Sequence, residues 1–194
     1  GRKRLFAIGV LIFAAASAWC GLVEDIGQLI IARAVQGVGA ALVVPGSLAL
    51  LSAHFPEARR GRAIGQWASF TTLAIALGPV LGGVLVDIAS WRWVFFINLP
   101  ISAFLLVVLY AGVPESRDES AARKLDLVGA VLITLGLGGV VFGLLESSRL
   151  GFAASAVWGS MVAGLVLNLL FIYRQRTAAF PMLPLALFRS RAFS

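Results

Sequence analysis

The chain has 194 residues, 60% of them hydrophobic and 13% charged, with a mean hydropathy of +0.96. Soluble domains carry about 45–50% apolar and about 25% charged residues, so this composition excludes an ordinary soluble fold. The net charge of +7 lies in short basic clusters between apolar segments, which argues against a nucleic-acid interface, and the single Cys20 excludes an intrachain disulfide or a cysteine-rich metal centre.

The opening Gly1-Arg2-Lys3-Arg4 is basic and precedes an uncharged run, Leu5–Val23. That run is too long for the apolar core of a signal peptide, and more runs follow. It reads as the first membrane span of a fragment that begins in a loop. The second span, Ile26–Ser52, is interrupted only by Arg33. The third is Ala63–Val86 and the fourth Trp93–Val113. The fifth and sixth are Leu127–Leu145 and Leu150–Tyr173. Each has about the 20 residues that cross a bilayer as a helix. Residues 174–194, with Phe180-Pro-Met-Leu-Pro184 followed by Leu-Ala-Leu-Phe, read as a connector toward a seventh span outside the sequence. The expected fold class is an all-α integral membrane protein.

Basic residues set the direction of the spans, because Lys and Arg accumulate in cytoplasmic loops. Arg2, Lys3 and Arg4 precede the first span, and Arg59, Arg60 and Arg62 follow the second. Arg117, Arg123 and Lys124 follow the fourth; Arg174, Arg176, Arg189 and Arg191 follow the sixth. Of the 16 basic residues, only Arg92 and Arg149 fall in the other loops, and Arg33 lies within a span. The amino end is therefore expected in the cytoplasm of a multi-pass protein of the plasma (inner) membrane. Trp19, Trp91, Trp93 and Trp158 fall near the outer ends, and Trp67, Tyr110 and Tyr173 near the inner ends, as interfacial aromatics do.

A guanidinium at mid-bilayer costs about 2.5–3.5 kcal/mol on insertion scales, so such a group usually faces a bundle interior or a wet cavity. At helical spacing Arg33, Gln36, Gly37, Ala40 and Ala41 share one stripe, with Ile30, Ile31, Ala34, Val35, Leu42 and Val43 opposite. Small residues mark faces where membrane helices pack closely. The expectation is an inward Arg33, about two turns below the outer helix end, with the large aliphatics left to lipid. The alternative is an arginine that snorkels to the outer headgroups. Pro45-Gly46 reads as a tolerated kink, with a hinge as the alternative. In the third span Gly78 and Gly82 form a small-xxx-small seam, and Pro79 removes a backbone donor between them. Gly139 and Gly143 form a similar seam in the fifth, assigned to packing.

These stretches resemble a known family. Leu29–Ala41, with the pattern RxxQGxGAA beginning at Arg33, resembles the fourth-helix motif of major facilitator superfamily transporters. Gly78-Pro79-Val-Leu-Gly82-Gly83 resembles the fifth-helix antiporter motif of that superfamily's drug/proton exporters. Gly1-Arg2-Lys3-Arg4 resembles the end of the cytoplasmic loop motif between helices two and three. SWRWVFFINLPI, Ser90 to Ile101, is similar to the outer loop and sixth helix of the fourteen-helix drug:proton antiporter branch. LDLVGAVLITLGLGGVVFGLLE resembles that branch's extra seventh helix, and PMLPLALFRSRAF its connector into the second half. The longer antiporter motif has glycines where Ala74 and Phe70 stand here; alanine keeps close packing and Phe70 does not.

The resemblance implies a six-helix fragment covering family helices three to eight. Residues 1–113 would end the N-terminal bundle, 114–126 form a cytoplasmic loop, 127–173 form two linker helices, and 174–194 lead to the C-terminal bundle. It implies a secondary active transporter, exporting drugs or other small hydrophobic or cationic molecules against protons by alternating access. Arg33, with Gln36 and Gly37 in the cavity, would couple proton movement to export. Gly78, Pro79, Gly82 and Gly83 would shape the bent helix that seals the closed state, and Arg2, Lys3 and Arg4 would belong to the cytoplasmic gate. The expected partners are membrane lipids, a small-molecule substrate, protons and the remainder of the transporter, with no nucleic acid, no organic cofactor and no metal. No Asp or Glu lies within the predicted spans, so the proton-carrying carboxylate is expected outside this sequence or at a rim position, Asp87 or Glu146. An intramembrane enzyme would need paired catalytic groups, and the one histidine, His54, sits at a cytoplasmic span end. An assembly subunit, or a facilitator or symporter for a defined metabolite, are the remaining alternatives.

Overall fold

The computed structural model describes residues 1–116 and 126–178. All regular structure among them is helical, and six of the helical segments are long and apolar enough to cross a membrane. The chain divides into two units, Gly1–Glu119 and Ser120–Ser194.

In the first unit, α1 (Arg2–Leu22) and α2 (Ile26–His54) form the most extensive pair. Asp25 caps α2, its carboxylate accepting the Gln28 amide N–H at 3.0 Å. The two helices approach at small residues. A Cβ on Gly39 would lie 2.6 Å from the Phe13 backbone nitrogen, and one on Gly9 would lie 2.7 Å from the Leu42 Cβ. The next helix, α3 (Glu57–Ile88), runs unbroken through Pro79 and starts six positions before the apolar run that announced it. Backbone hydrogen bonding does not stop where the apolar band ends, so helices overrun their hydrophobic segments.

The expected fourth span is present as one apolar segment, Trp93–Gly112, with a local irregularity near its start. α4 (Trp93–Phe96) and α5 (Asn98–Gly112) meet at Ile97, whose backbone remains right-handed helical. Pro100 has no N–H to return to the Phe96 carbonyl, which removes one rung of the helix there. Phe6, Ala7 and Val10 of α1, Leu50 of α2 and Leu109 of α5 form the buried core, with Val43, Leu105, Leu106 and Val113 against it. By contrast, α3 is almost uncovered, with Ala63 its one buried residue.

The second unit is an antiparallel pair, α6 (Leu127–Leu150) and α7 (Ser155–Thr177). Gly151 turns the chain between them at φ 77°, a conformation open to glycine and strained for other residues. The helices meet along Gly136, Gly139, Gly143 and Gly164. A Cβ on Gly139 would lie 2.9 Å from the Ser160 carbonyl oxygen, and one on Gly164 would lie 2.7 Å from that of Gly136.

Candidate functional site

The site begins with the charge inside α2. Arg33 Nη1 donates to Gln36 Oε1 at 2.7 Å, one helical turn along the same face. Its guanidinium carbon stands 5.8 Å from the centre of the Phe95 ring on α4. Gln36 is 3% exposed and Ser17 fully buried. Gln36 Nε2 donates to Ser17 Oγ on α1, and Asn98 Nδ2 on α5 donates to the same oxygen at 3.1 Å. The result is a polar chain, Arg33–Gln36–Ser17–Asn98, across three helices. Its middle members are buried, Asn98 is half-buried, and Arg33, expected to point inward, is exposed at its end because it lies off the face that packs on α1. Buried amides and hydroxyls are costly without partners, and here each supplies the other's need.

Asn98 also lines an apolar cleft of about 270 Å³ together with Val10, Phe13, Ala40, Val43, Ile101 and Ser102. The cleft is open on one side and lies between α1, α2 and α5. Arg33 does not line it; the polar chain joins the two through Gln36 and Ser17. Among the described residues no carboxylate forms an ion pair with Arg33. Glu146 lies inside α6, which extends to Leu150, and pairs with Arg149 at 2.6 Å; Asp87 lies in the last turn of α3.

Gly37 is not brought to this site. The buried residues of α2 are Ala32, Gln36, Gly39 and Leu50, and among the described residues nothing beyond its own helix backbone and chain neighbours comes within 4 Å of a Cβ on Gly37. The close-packing glycine is Gly39. Leu42 and Val43, expected to face lipid, instead lie against Gly9, and Val43 against the core. Gly78, Gly82 and Gly83 likewise have open space where a Cβ would stand, so no described residue packs against that motif.

The basic triplet docks on the end of α5. The Lys3 amide N–H donates to Glu115 Oε1 at 3.0 Å, and the Arg2 amide N–H donates to the Ser116 carbonyl at 2.8 Å. Lys3 Nζ sits 4.9 Å from the Tyr110 ring centre and reaches its carbonyl at 3.4 Å. Arg4 Nε faces Glu115 Oε2 at 3.7 Å, an exposed pairing of small energetic weight. Glu115 stands at the positive end of α1. Burial works to raise its pKa, but the Lys3 amide and its neighbours outweigh this and hold it below the usual carboxylate value.

A second fixed carboxylate closes the α6–α7 pair. Asp126 accepts the Gly129 amide at 3.0 Å, Arg174 Nε at 2.9 Å and Gln175 Nε2 at 3.2 Å. The Gly129 amide and then Arg174 hold its pKa low against the opposing effect of burial.

Sequence reasoning missed Ser17, Asn98, Phe95 and Arg92. Arg92 Nη2 donates to the Val23 carbonyl at 3.1 Å and so satisfies the C-terminal end of α1. The available signal was chemical. A lone hydroxyl or amide inside an apolar span has to find a polar partner.

Comparison with known proteins extends the reading to the whole chain. The family model described as Major Facilitator Superfamily matches residues 1–190. A multidrug resistance protein, Stp, of Mycobacterium tuberculosis is 39% identical over 100% of this chain and 36% of its own length. A methylenomycin A resistance protein of Bacillus subtilis is 34% identical over 100% of this chain and 41% of its own. A tetracenomycin C resistance and export protein of Streptomyces glaucescens is 34% identical over 98% of this chain and 35% of its own. The chain thus spans between a third and about two-fifths of the length of these relatives.

Proposed function

The chain belongs to the major facilitator superfamily, and from that premise we propose that it forms part of a longer secondary active transporter that exports drugs or other small hydrophobic or cationic molecules against protons. Export is suggested by the resistance and export proteins among its relatives. The observation that carries the coupling mechanism is the Arg33 side chain. It lies in a helix long and apolar enough to cross a membrane and, although exposed in this chain, is hydrogen-bonded along the helix to Gln36.

A fixed cation in a low-dielectric cavity lowers the pKa of a carboxylate brought beside it and so biases when that carboxylate releases its proton. In the proposed cycle two helical bundles rock around a central site, and Arg33 meets the proton-carrying carboxylate in one of the two states. Gly78, Pro79, Gly82 and Gly83 on α3 offer an open small-residue face for close helix approach in the sealed state. Arg2, Lys3 and Arg4, docked against Glu115 and its neighbours, belong to the cytoplasmic gate. In this reading the amino end of the chain lies in the cytoplasm and the protein in the inner membrane, as the basic clusters on alternate loops suggest. The reading involves no enzymatic step and no cofactor beyond the transported proton.

The test is ethidium efflux from proteoliposomes holding the complete gene product under an imposed pH gradient. Arg33→Ala should reduce gradient-driven efflux at least tenfold at equal protein content. Unchanged efflux in that variant sinks the coupling role. Gradient-driven ethidium uptake in place of efflux identifies a symporter instead.

A further inference from the structure

We propose that Ser17 and Asn98 are positioning residues for the arginine site, holding the Gln36 amide with its oxygen turned to Arg33. The inference rests on the coupling role of Arg33 argued above. Its basis is the polarity of the chain of hydrogen bonds. A glutamine amide has one accepting and one donating end, and only the oxygen can receive a guanidinium N–H. Gln36 Oε1 takes the Arg33 N–H, which leaves Nε2 to donate. Ser17 Oγ receives that bond and also the Asn98 N–H at 3.1 Å. Every member of the chain thus has a defined sense, and reversing the Gln36 amide would set two donors face to face at Arg33.

Burial makes this arrangement hard to replace. Ser17 is 0% exposed and Gln36 is 3% exposed, so an orphaned amide N–H there has no water to turn to. Elsewhere α1, α2 and α5 share the apolar core, and Lys3 on α1 reaches the Tyr110 carbonyl of α5. Asn98 opens α5 beside Ile97, and the Phe95 ring of α4 stands 5.8 Å from the guanidinium carbon. Ser17, Asn98 and the Phe95 ring therefore act on Arg33 from α1, α5 and α4. Two of these groups hold it through the Gln36 amide, and none of them touches a proton. Removing the Ser17 hydroxyl frees Gln36 to turn and lets Arg33 leave the geometry in which it meets its carboxylate.

The experiment uses the complete gene product in proteoliposomes, with ethidium as probe and an imposed pH gradient. Ser17→Ala and Asn98→Leu should each lower the maximal efflux rate by roughly tenfold, with a smaller change in KM. Ser17→Thr, which keeps the hydroxyl, should recover most of the rate. Ser17→Ala placed on Gln36→Leu should cost nothing further, because the hydroxyl acts through the amide. Should Ser17→Ala fail to accumulate, Asn98→Leu at its half-buried position carries the same comparison with Gln36→Leu. Wild-type rates in both relay variants alongside a defective Arg33→Ala would overturn this inference alone. So would losses that multiply with Gln36→Leu. A functional Arg33→Ala would remove the coupling reading and the relay's purpose together.

Discussion

Gln36 is where two faces of one helix meet. At about 100° per residue, Ala32, Gln36, Gly39, Val43 and Leu50 all fall within about 40° of one direction, and that direction points at α1. Arg33 lies about 100° from it and Gly37 about 140°, so the stripe read from the motif is real but displaced from the packing face. Gln36 belongs to both, which is why it can reach Ser17 with one end and Arg33 with the other. Arg33→Lys tests what the guanidinium adds beyond charge. Lysine lacks the planar fork that reaches an acceptor and a partner at once. The variant should keep measurable ethidium efflux but fall below wild type by about tenfold or more; a wild-type rate would show that charge alone suffices.

Asp126 makes a second prediction at this scale, and its sign follows from the direction of its shift. Its pKa is depressed in the fold by the Gly129 amide and Arg174. The stabilisation is therefore complete above the ordinary carboxylate value of about 3.9 and is lost as pH falls through the lower folded value. Asp126→Asn should lower the melting temperature of the detergent-solubilised chain by a constant amount from pH 7 to pH 5. That difference should shrink toward pH 2. A gap that persists in acid would mean the carboxylate charge is not what holds α6 to α7.

At the level of elements, glycine position decides which helices can pair. A Cβ on Gly39 would meet the backbone of Phe13, which cannot move aside without separating α1 from α2. Gly39→Ala should therefore destabilise the first unit by about 1–3 kcal/mol, the usual range for overpacking. Gly37→Ala, with nothing within 4 Å, should leave its thermal melting unchanged within error. The second unit offers the same contrast. Gly139→Ala presses on the Ser160 carbonyl and on Gly164, whereas Gly138→Ala enters open space. Thermal melting of the four variants checks both pairs, and equal effects within either pair would contradict the packing described. Only part of this was legible beforehand. The Gly139–Gly143 seam is visible as spacing alone, but Gly37 and Gly39 both stand in a small-residue run, and spacing cannot choose between them.

For the whole molecule, the outer surface of α3 is the informative feature. Phe70, Ile75, Val80 and Ile88 are all more than 60% exposed, and the Gly78–Gly83 motif faces open space. Such a surface suits lipid and further helices, and the proposed alternating access requires a second bundle to rock against the first. The 194-residue chain by itself should therefore export nothing. Proteoliposomes containing residues 1–194 alone should show no gradient-driven ethidium efflux, and any such efflux would refute the account of a two-bundle cycle.

The membrane class, the six spans and the odd charge in the second are legible in the amino-acid order, because transfer from water to lipid is set locally by each segment's own composition. The sequence also carried the family motifs, which are read in order along the chain. The tertiary structure decided which glycines pack, that Leu42 and Val43 turn inward, and that Ser17 and Asn98, 81 positions apart, meet at one oxygen. Those outcomes depend on which surfaces of different helices come together, and a hydrogen bond between distant residues leaves no periodicity in either segment.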